Sequence, residues 1–216
     1  MVWRHALPDF VCTQDSTVNH GNRGKGVRLS DSASYELRVV QGRESYFLKR
    51  SAGLDLEQLT PVDFPVMGNR GEFASALLLL FDAPSQTRFH RADRETVEGR
   101  RLRRYDFSVR QENSRWFVGP GAAFQPAYTG SFWADESDGK VYRLHMEAHR
   151  FPRRYAVQDA WLNVSFDTVR IQGEEYLMPV QSDVRTCRDL TDCAHAFMLF
   201  TDYRKFTATS QVEFQH

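Results

Sequence analysis

From about residue 101 to residue 214 the chain is written as alternating polar and apolar positions, broken by short turn signals. Tyr105-Phe107-Val109, Tyr142-Leu144-Met146-Ala148, Leu162-Val164-Phe166 and Phe197-Leu199 each recur with period two, the mark of strands buried on one face. Asp138-Gly139 and Gln172-Gly173 between them are pairs that reverse a hairpin. The same grammar runs forward to the start. Phe10 to Gln14 reads as a strand, Asn19 to Gly26 as a mobile loop, and Tyr35-Leu37-Val39 as a strand that returns through Gln41-Gly42 to Ser45–Arg50. Ser51 to Gly68, with Pro61 and Pro65, reads as irregular linker. Further strands are predicted over 87–91, 95–97, 101–111, 115–118, 128–134, 140–149, 160–171, 175–185, 195–206 and 210–214.

One segment departs from this period. Asn69 stands three residues before Glu72, a capping-box-like start, and Ala83-Pro84 stops the helix predicted over 72–82. Phe73, Ala74, Ala76, Leu77, Leu78, Leu79, Leu80 and Phe81 leave that helix almost no polar face, and a helix apolar all round is buried all round. A second helical scrap is expected at Val2 to Leu7, ended by Leu7-Pro8-Asp9. The fold class that follows is mainly β (α+β). A large curved antiparallel sheet forms an open half-barrel, with one buried helix and the N-terminal helical remnant on its concave face. No repeat or strong linker divides the chain, so residues 1–216 read as a single half-barrel domain.

At 216 residues the surface-scaling law gives roughly 72% of the extended-chain surface buried, enough for a core without metals. Lys+Arg and Asp+Glu balance to a formal charge of zero. The long-range field that gathers a protein onto nucleic acid or anionic membrane is therefore missing, and such binding needs a local patch. The longest apolar run, Ala74 to Phe81 with one Ser, is too short to span a bilayer. The first ten positions carry no export signal. Val2 to Leu7 reads as the last turns of a helix begun upstream, so a removed leader is compatible with the chain.

Cys187 and Cys193 flank Arg-Asp-Leu-Thr-Asp, a polar insert between two strand-like runs. A bridge across such a hairpin loop stabilises by about 2–2.5 kcal/mol in chain-entropy terms. Oxidised, the pair implies an exported protein; reduced, it is two thiols in a cytosolic loop. Cys12 remains over and reads as a buried, inert thiol.

Several stretches resemble a bacterial family of uncharacterised exported proteins. They are Ala6-Leu7-Pro8-Asp9-Phe10-Val11-Cys12-Thr13-Gln14, Glu72-Phe73, Arg115-Trp116, Pro126-Ala127-Tyr128-Thr129-Gly130, Val141-Tyr142-Arg143-Leu144, Tyr176-Leu177-Met178-Pro179-Val180 and Tyr203-Arg204-Lys205-Phe206. The order of elements is similar to periplasmic lipoprotein-carrier and sigma-factor-regulator domains. What that resemblance implies is a half-barrel with helices on its concave side and an apolar cavity between; it transfers no catalytic residue. The Cys187–Cys193 insert lies outside the family pattern.

Candidate chemistry is sparse. His145, Glu147 and His149 share one strand face, and such donors suit zinc. Same-face neighbours lie nearly 7 Å apart, however, and Tyr142, Leu144, Met146 and Ala148 claim the opposite face for the core, which leaves the histidines in solvent. Arg100, Arg101, Arg103 and Arg104 form one basic run, and Arg150, Arg153 and Arg154 another. Extending the Tyr105-Phe107-Val109 face backwards puts Arg101 and Arg103 on the core side at the sheet's rim, a possible carboxylate or phosphate contact. A bulge that returns them to solvent is equally easy. No Gly-x-Ser-x-Gly elbow occurs, and Gly68-Asn69-Arg70-Gly71 lacks the P-loop's Lys-Ser/Thr. Trp116, Trp133 and Trp161 read as sheet packing rather than as a base-stacking platform.

The reading is a non-enzymatic, periplasmic or secreted binding protein with an apolar cavity for a lipid or acyl chain. The expected cavity residues are Phe73, Ala76, Leu77, Leu80, Tyr105, Phe107, Leu144 and Met146. The alternative is a protein-interaction or envelope-sensing module of the same fold with a filled core. No cofactor, metal, nucleic acid or membrane-spanning segment is expected; an acyl chain or an envelope protein is the expected partner.

Overall fold

The computed structural model describes residues 9–22, 26–40, 43–52, 75–119, 124–189 and 192–206. Its strands are β1 (Phe10–Asn22), β2 (Gly26–Val40), β3 (Arg43–Ala52), β4 (Arg88–Val97), β5 (Arg100–Val109), β6 (Ala127–Ala134), β7 (Val141–His149), β8 (Asp159–Ile171), β9 (Glu174–Cys187) and β10 (Asp192–Lys205). A short helix, α1 (Ser75–Phe81), precedes β4. All ten strands join one antiparallel sheet in the order β3-β2-β1-β10-β9-β8-β7-β6-β5-β4. Seven consecutive strands form a meander from β4 to β10. The chain then closes on itself in the middle, because β10 pairs with β1, which leads through β2 to β3. The two end strands do not meet, so the sheet is an open half-barrel, as the period-two runs predict.

Alternation assigns the two faces. Register places Phe107, Gly130, Met146, Leu162, Val184 and Ala196 in one row across six strands. Tyr105, Phe132, Leu144, Val164, Ser182 and Met198 form the next. These rows, with Phe10 and Cys12 of β1 and Leu37 and Val39 of β2, make the main core. Ala76, Leu77 and Leu80 of α1 belong to the same cluster, so the helix lies on the inner face. The helix is not buried all round: Leu79 and Phe81 are partly exposed. Phe81 packs sideways, stacking on Phe89 at 5.6 Å and meeting Phe132 edge-on at 5.3 Å.

Several element boundaries differ from the sequence pattern: β2 begins at Gly26, β3 takes in Ser51 and Ala52 of the expected linker, and β10 begins at Asp192. The loop expected from Asn19 is strand as far as Asn22, because β1 is central and both its edges are paired, by β10 and by β2. Backbone pairing of that kind needs no apolar alternation, and Asp15, Ser16 and Thr17 carry none. The two short strands expected over 87–97 are one strand, β4, with a register shift between Arg91 and Arg94. The strand expected over 115–118 is absent apart from a single bridge, Val118 to Phe124; Trp116 turns instead to meet Tyr128 edge-on at 5.6 Å. The expected 2–7 helix, the Gln41-Gly42 turn, helix residues 72–74 and the 210–214 strand lie outside the described residues.

Candidate functional site

The inner face around α1 is the candidate site, and hydroxyl groups position the helix on it. A helix leaves its last four carbonyls without partners, and here two of them point into the protein. Tyr128 donates its hydroxyl to Leu79 O at 2.9 Å, and Thr87 donates to Leu80 O at 2.7 Å. Ser85, almost wholly buried, lies 3.2 Å from the same Leu80 carbonyl. Burial pushes the Tyr128 hydroxyl well above its ordinary pKa, so it stays a donor at any physiological pH. Sequence reasoning missed these three residues. The signal was present in Ser85-x-Thr87, two hydroxyls directly after the helix-stopping Pro84.

Of the residues expected to line a cavity, Ala76, Leu77, Leu80, Phe107, Leu144 and Met146 are buried together in one cluster. Tyr105 is half-buried at its margin, stacked on Phe132 at 5.0 Å. Phe73 lies outside the described residues. The face is graded. Aromatic rings crowd β5 and β6, whereas the half built on β9, β10 and β1 mixes large apolar residues such as Met198 and Phe10 with buried Ser182, Thr186, Gln14 and Ser16. Gln14 donates to Ser16 at 3.0 Å. Cys12 sits in this half, and burial pushes its thiol up to about 12, so it carries no thiolate chemistry at neutral pH.

The expected bridge is present: Cys187 and Cys193 stand directly opposite each other on β9 and β10 and are joined. Arg101 and Arg103 part company. Arg101 is exposed, while the Arg103 side chain is only 14% exposed and donates to Glu136 at 3.1 Å and to Ala92 O at 3.0 Å. Glu136, in the β6–β7 turn, also binds Arg91 and accepts from Arg94 Nε at 2.7 Å. Hydrogen bonds from Arg103 and then Arg94 hold its carboxyl down at about 2. A pKa lower in the folded than in the unfolded chain contributes stability that is complete above the unfolded value and disappears as pH falls through the folded one. Glu136→Gln is therefore expected to be less stable than the parent at neutral pH. The difference in denaturation midpoint should close between the ordinary value of 4.5 and about 2. A pH-independent difference sinks this account.

On the outer face His145 meets Asn163 at 2.7 Å and Glu147 at 2.9 Å, whereas His149 meets Thr129 at 2.6 Å. The two imidazoles thus turn to different partners, and among the described residues no three acidic, histidine or cysteine side chains are grouped to hold a metal. Trp161 is covered by Arg185, 5.4 Å above its ring, and by His195 at 5.6 Å. Trp133 donates to Glu95 at 2.7 Å. These rings are engaged in side-chain packing. A shallow cleft beside the β1 bulge, lined by Val11, Glu36, Arg38, Arg204, Lys205 and Phe206, has its basic edge partly neutralised by Glu36, 2.6 Å from Arg38.

No protein-family model matches the chain, and no curated protein matches it in sequence. Three solved structures are similar to it along most of their length. One is a DUF1329 family protein from Desulfovibrio piger, 13% identical, covering 96% of this chain and 90% of that one, with a TM-score of 0.48. Another is a putative outer membrane lipoprotein-sorting protein domain from Vibrio parahaemolyticus, 11% identical over 94% and 88% of the two chains, TM-score 0.46. The third is a LolA superfamily protein from Nitrosomonas europaea, 10% identical over 94% and 89%, TM-score 0.43. No helix of the described residues is long and apolar enough to cross a membrane.

Proposed function

We propose that this protein is a non-enzymatic binding protein that takes an acyl chain or similar apolar ligand between α1 and the inner face of its sheet. One observation carries the reading: the inner face of a ten-stranded sheet is apolar, and among the described side chains of the short helix set against it Ala76, Leu77 and Leu80 are buried on that face. The contact set is Phe73, Ala76, Leu77, Leu80, Tyr105, Phe107, Leu144 and Met146. Dry apolar surroundings accept hydrocarbon readily. The Cys187–Cys193 bridge supports a periplasmic or secreted location, where disulfides persist. Both histidines of the His145–His149 strand are hydrogen-bonded to neighbours rather than converging on one point, which supports binding over catalysis.

A fluorescent fatty acid is expected to bind in the micromolar range and to be displaced by unlabelled lipid. Ala76→Phe places a ring between the helix and the sheet and is expected to weaken that binding several-fold, more than its thermal midpoint falls. Native protein that binds no such probe at any accessible concentration removes this reading. The second reading, a protein-interaction module with a filled core, is favoured by the two unjoined edge strands, which carry Phe47 and Phe89, each 46% exposed. Native mass spectrometry of protein taken from its own envelope separates them: co-purified lipid supports the first, a bound protein the second.

A further inference from the structure

Most arginines that approach the rim of the sheet are committed. Arg91, Arg94 and Arg103 hold Glu136, Arg104 holds Glu95, Arg115 holds Asp82 and Arg185 holds Asp159. Arg150, Arg153 and Arg154, in the connection from β7 to β8, are different. All three are exposed, and none has an ion-pair partner among the described residues. The loop that carries them is held firmly. Tyr155 N donates to Pro152 O at 2.9 Å, which closes a turn with Arg153 and Arg154 at its centre. Gln158 Nε2 donates to Pro152 O and to Tyr155 O, each at 2.9 Å, and Gln158 N donates to Cys187 O at 2.8 Å.

This loop is joined to the β5–β6 connection at the same end of the sheet. Tyr155 donates its hydroxyl to Val118 O at 2.7 Å. Phe124 lies 5.2 Å from Tyr155 and 5.7 Å from Phe151, over a small core of Val118, Ala148, Val157 and Ala160. Trp116 and Val118 turn into that core, and Phe117 between them is left 50% exposed. The two joined loops therefore carry one half-exposed aromatic ring and three exposed guanidiniums with no ion-pair partner among the described residues, on a chain whose net charge is zero. Aromatic rings at headgroup level with basic residues around them are what an interfacial membrane contact uses.

We propose that this end of the half-barrel docks on an anionic phospholipid surface, with Phe117 entering the interface and Arg150, Arg153 and Arg154 against the headgroups. A diffuse layer of phosphates suits three cations spread over an exposed turn, since no groove gathers them onto a single carboxylate. The proposal stands whether or not the inner face holds a ligand.

The test is flotation of the whole chain with vesicles of phosphatidylcholine alone and of phosphatidylcholine containing phosphatidylglycerol. Flotation is expected with the anionic vesicles only, and salt should release it. Arg153→Gln together with Arg154→Gln should weaken it about twenty-fivefold, at roughly fivefold for each charge lost near the surface, with thermal stability unchanged. Phe117→Ala should weaken it further. Changing all three arginines to lysine should keep it, because a headgroup layer reads charge rather than the guanidinium fork. Three results overturn the proposal: no flotation with anionic vesicles, equal flotation with neutral ones, or glutamine variants that bind like the parent. Loss of binding in the lysine variant also overturns it, because the contact would then depend on the guanidinium fork and not on charge against a headgroup layer.

Discussion

Leu80→Asp is expected to unfold the sheet at neutral pH. Leu80 is 1% exposed, belongs to the main core with Phe107, Leu144 and Met146, and sits where Thr87 and Ser85 already engage its own carbonyl. Among the described residues of that core cluster all side chains are apolar or uncharged, so none offers a carboxylate a cation. Leaving a charge buried and unpaired costs several kcal/mol, against a total stability of about 5–15 kcal/mol for a domain. Leu80→Ala is the milder control, at about 2–5 kcal/mol for the cavity it leaves. The aspartate variant should also regain structure as its carboxyl is protonated, whereas the alanine variant should not. Circular dichroism and urea titration across pH measure both. A Leu80→Asp midpoint equal to the parent's would put the helix in solvent and end the covered-sheet description.

The residues that announced this fold are those for which burial alone decides the side. Leu144, Met146, Leu162 and Val164 alternate because one face of β7 and β8 is dry, so their period is written directly in the sequence. Where backbone pairing or local twist decides, the pattern is silent. β1 keeps pairing through Asp15, Ser16 and Thr17, and its inner-face Gln14 and Ser16 satisfy one another, which no hydropathy rule marks. In β5 the Tyr105-Phe107 face continues to Arg103, which pairs with the buried Ala134 of β6. Leu102 on the other side of β5 is buried as well, which no alternation predicts, and the register shift lies in the neighbouring β4. Arg103 lies along the rim on Glu136, a partner 33 residues away that only the folded turn supplies. The helix was legible as apolar, but its seating was not, since that depends on hydroxyls from Thr87 and from the distant Tyr128. The Phe117 platform was legible only in part. Its exposure follows from Trp116 and Val118 both turning inward, the same sidedness that the expected strand implies, but the side chains that cover them, Phe151 and Tyr155, come from a loop distant in sequence.

Gly130→Ala is expected to cost more than the change of one methyl group suggests. Gly130 stands in the middle row of the inner face, between Phe107 of β5 and Met146 of β7. A Cβ built on it would lie 1.9 Å from the carbonyl oxygen of His145 and 2.6 Å from the tip of the Phe107 ring. The two obstacles differ in kind. The Phe107 ring ends a side chain and can rotate away at the price of packing. The His145 carbonyl belongs to the backbone of a strand paired on both sides, so it moves only if the β6–β7 ladder opens. Overpacking a core costs about 1–3 kcal/mol when side chains alone adjust, and a backbone clash adds to that, so a loss of about 3 kcal/mol or more in urea-determined stability is expected. The double variant Gly130→Ala with Phe107→Leu separates the two obstacles. Shortening the ring removes only the side-chain conflict, so the double variant should stay nearly as unstable as the sum of the single changes. Strong rescue, a coupling that cancels most of the Gly130→Ala loss, would mean that the ring alone required glycine and that the strands can part to admit a side chain.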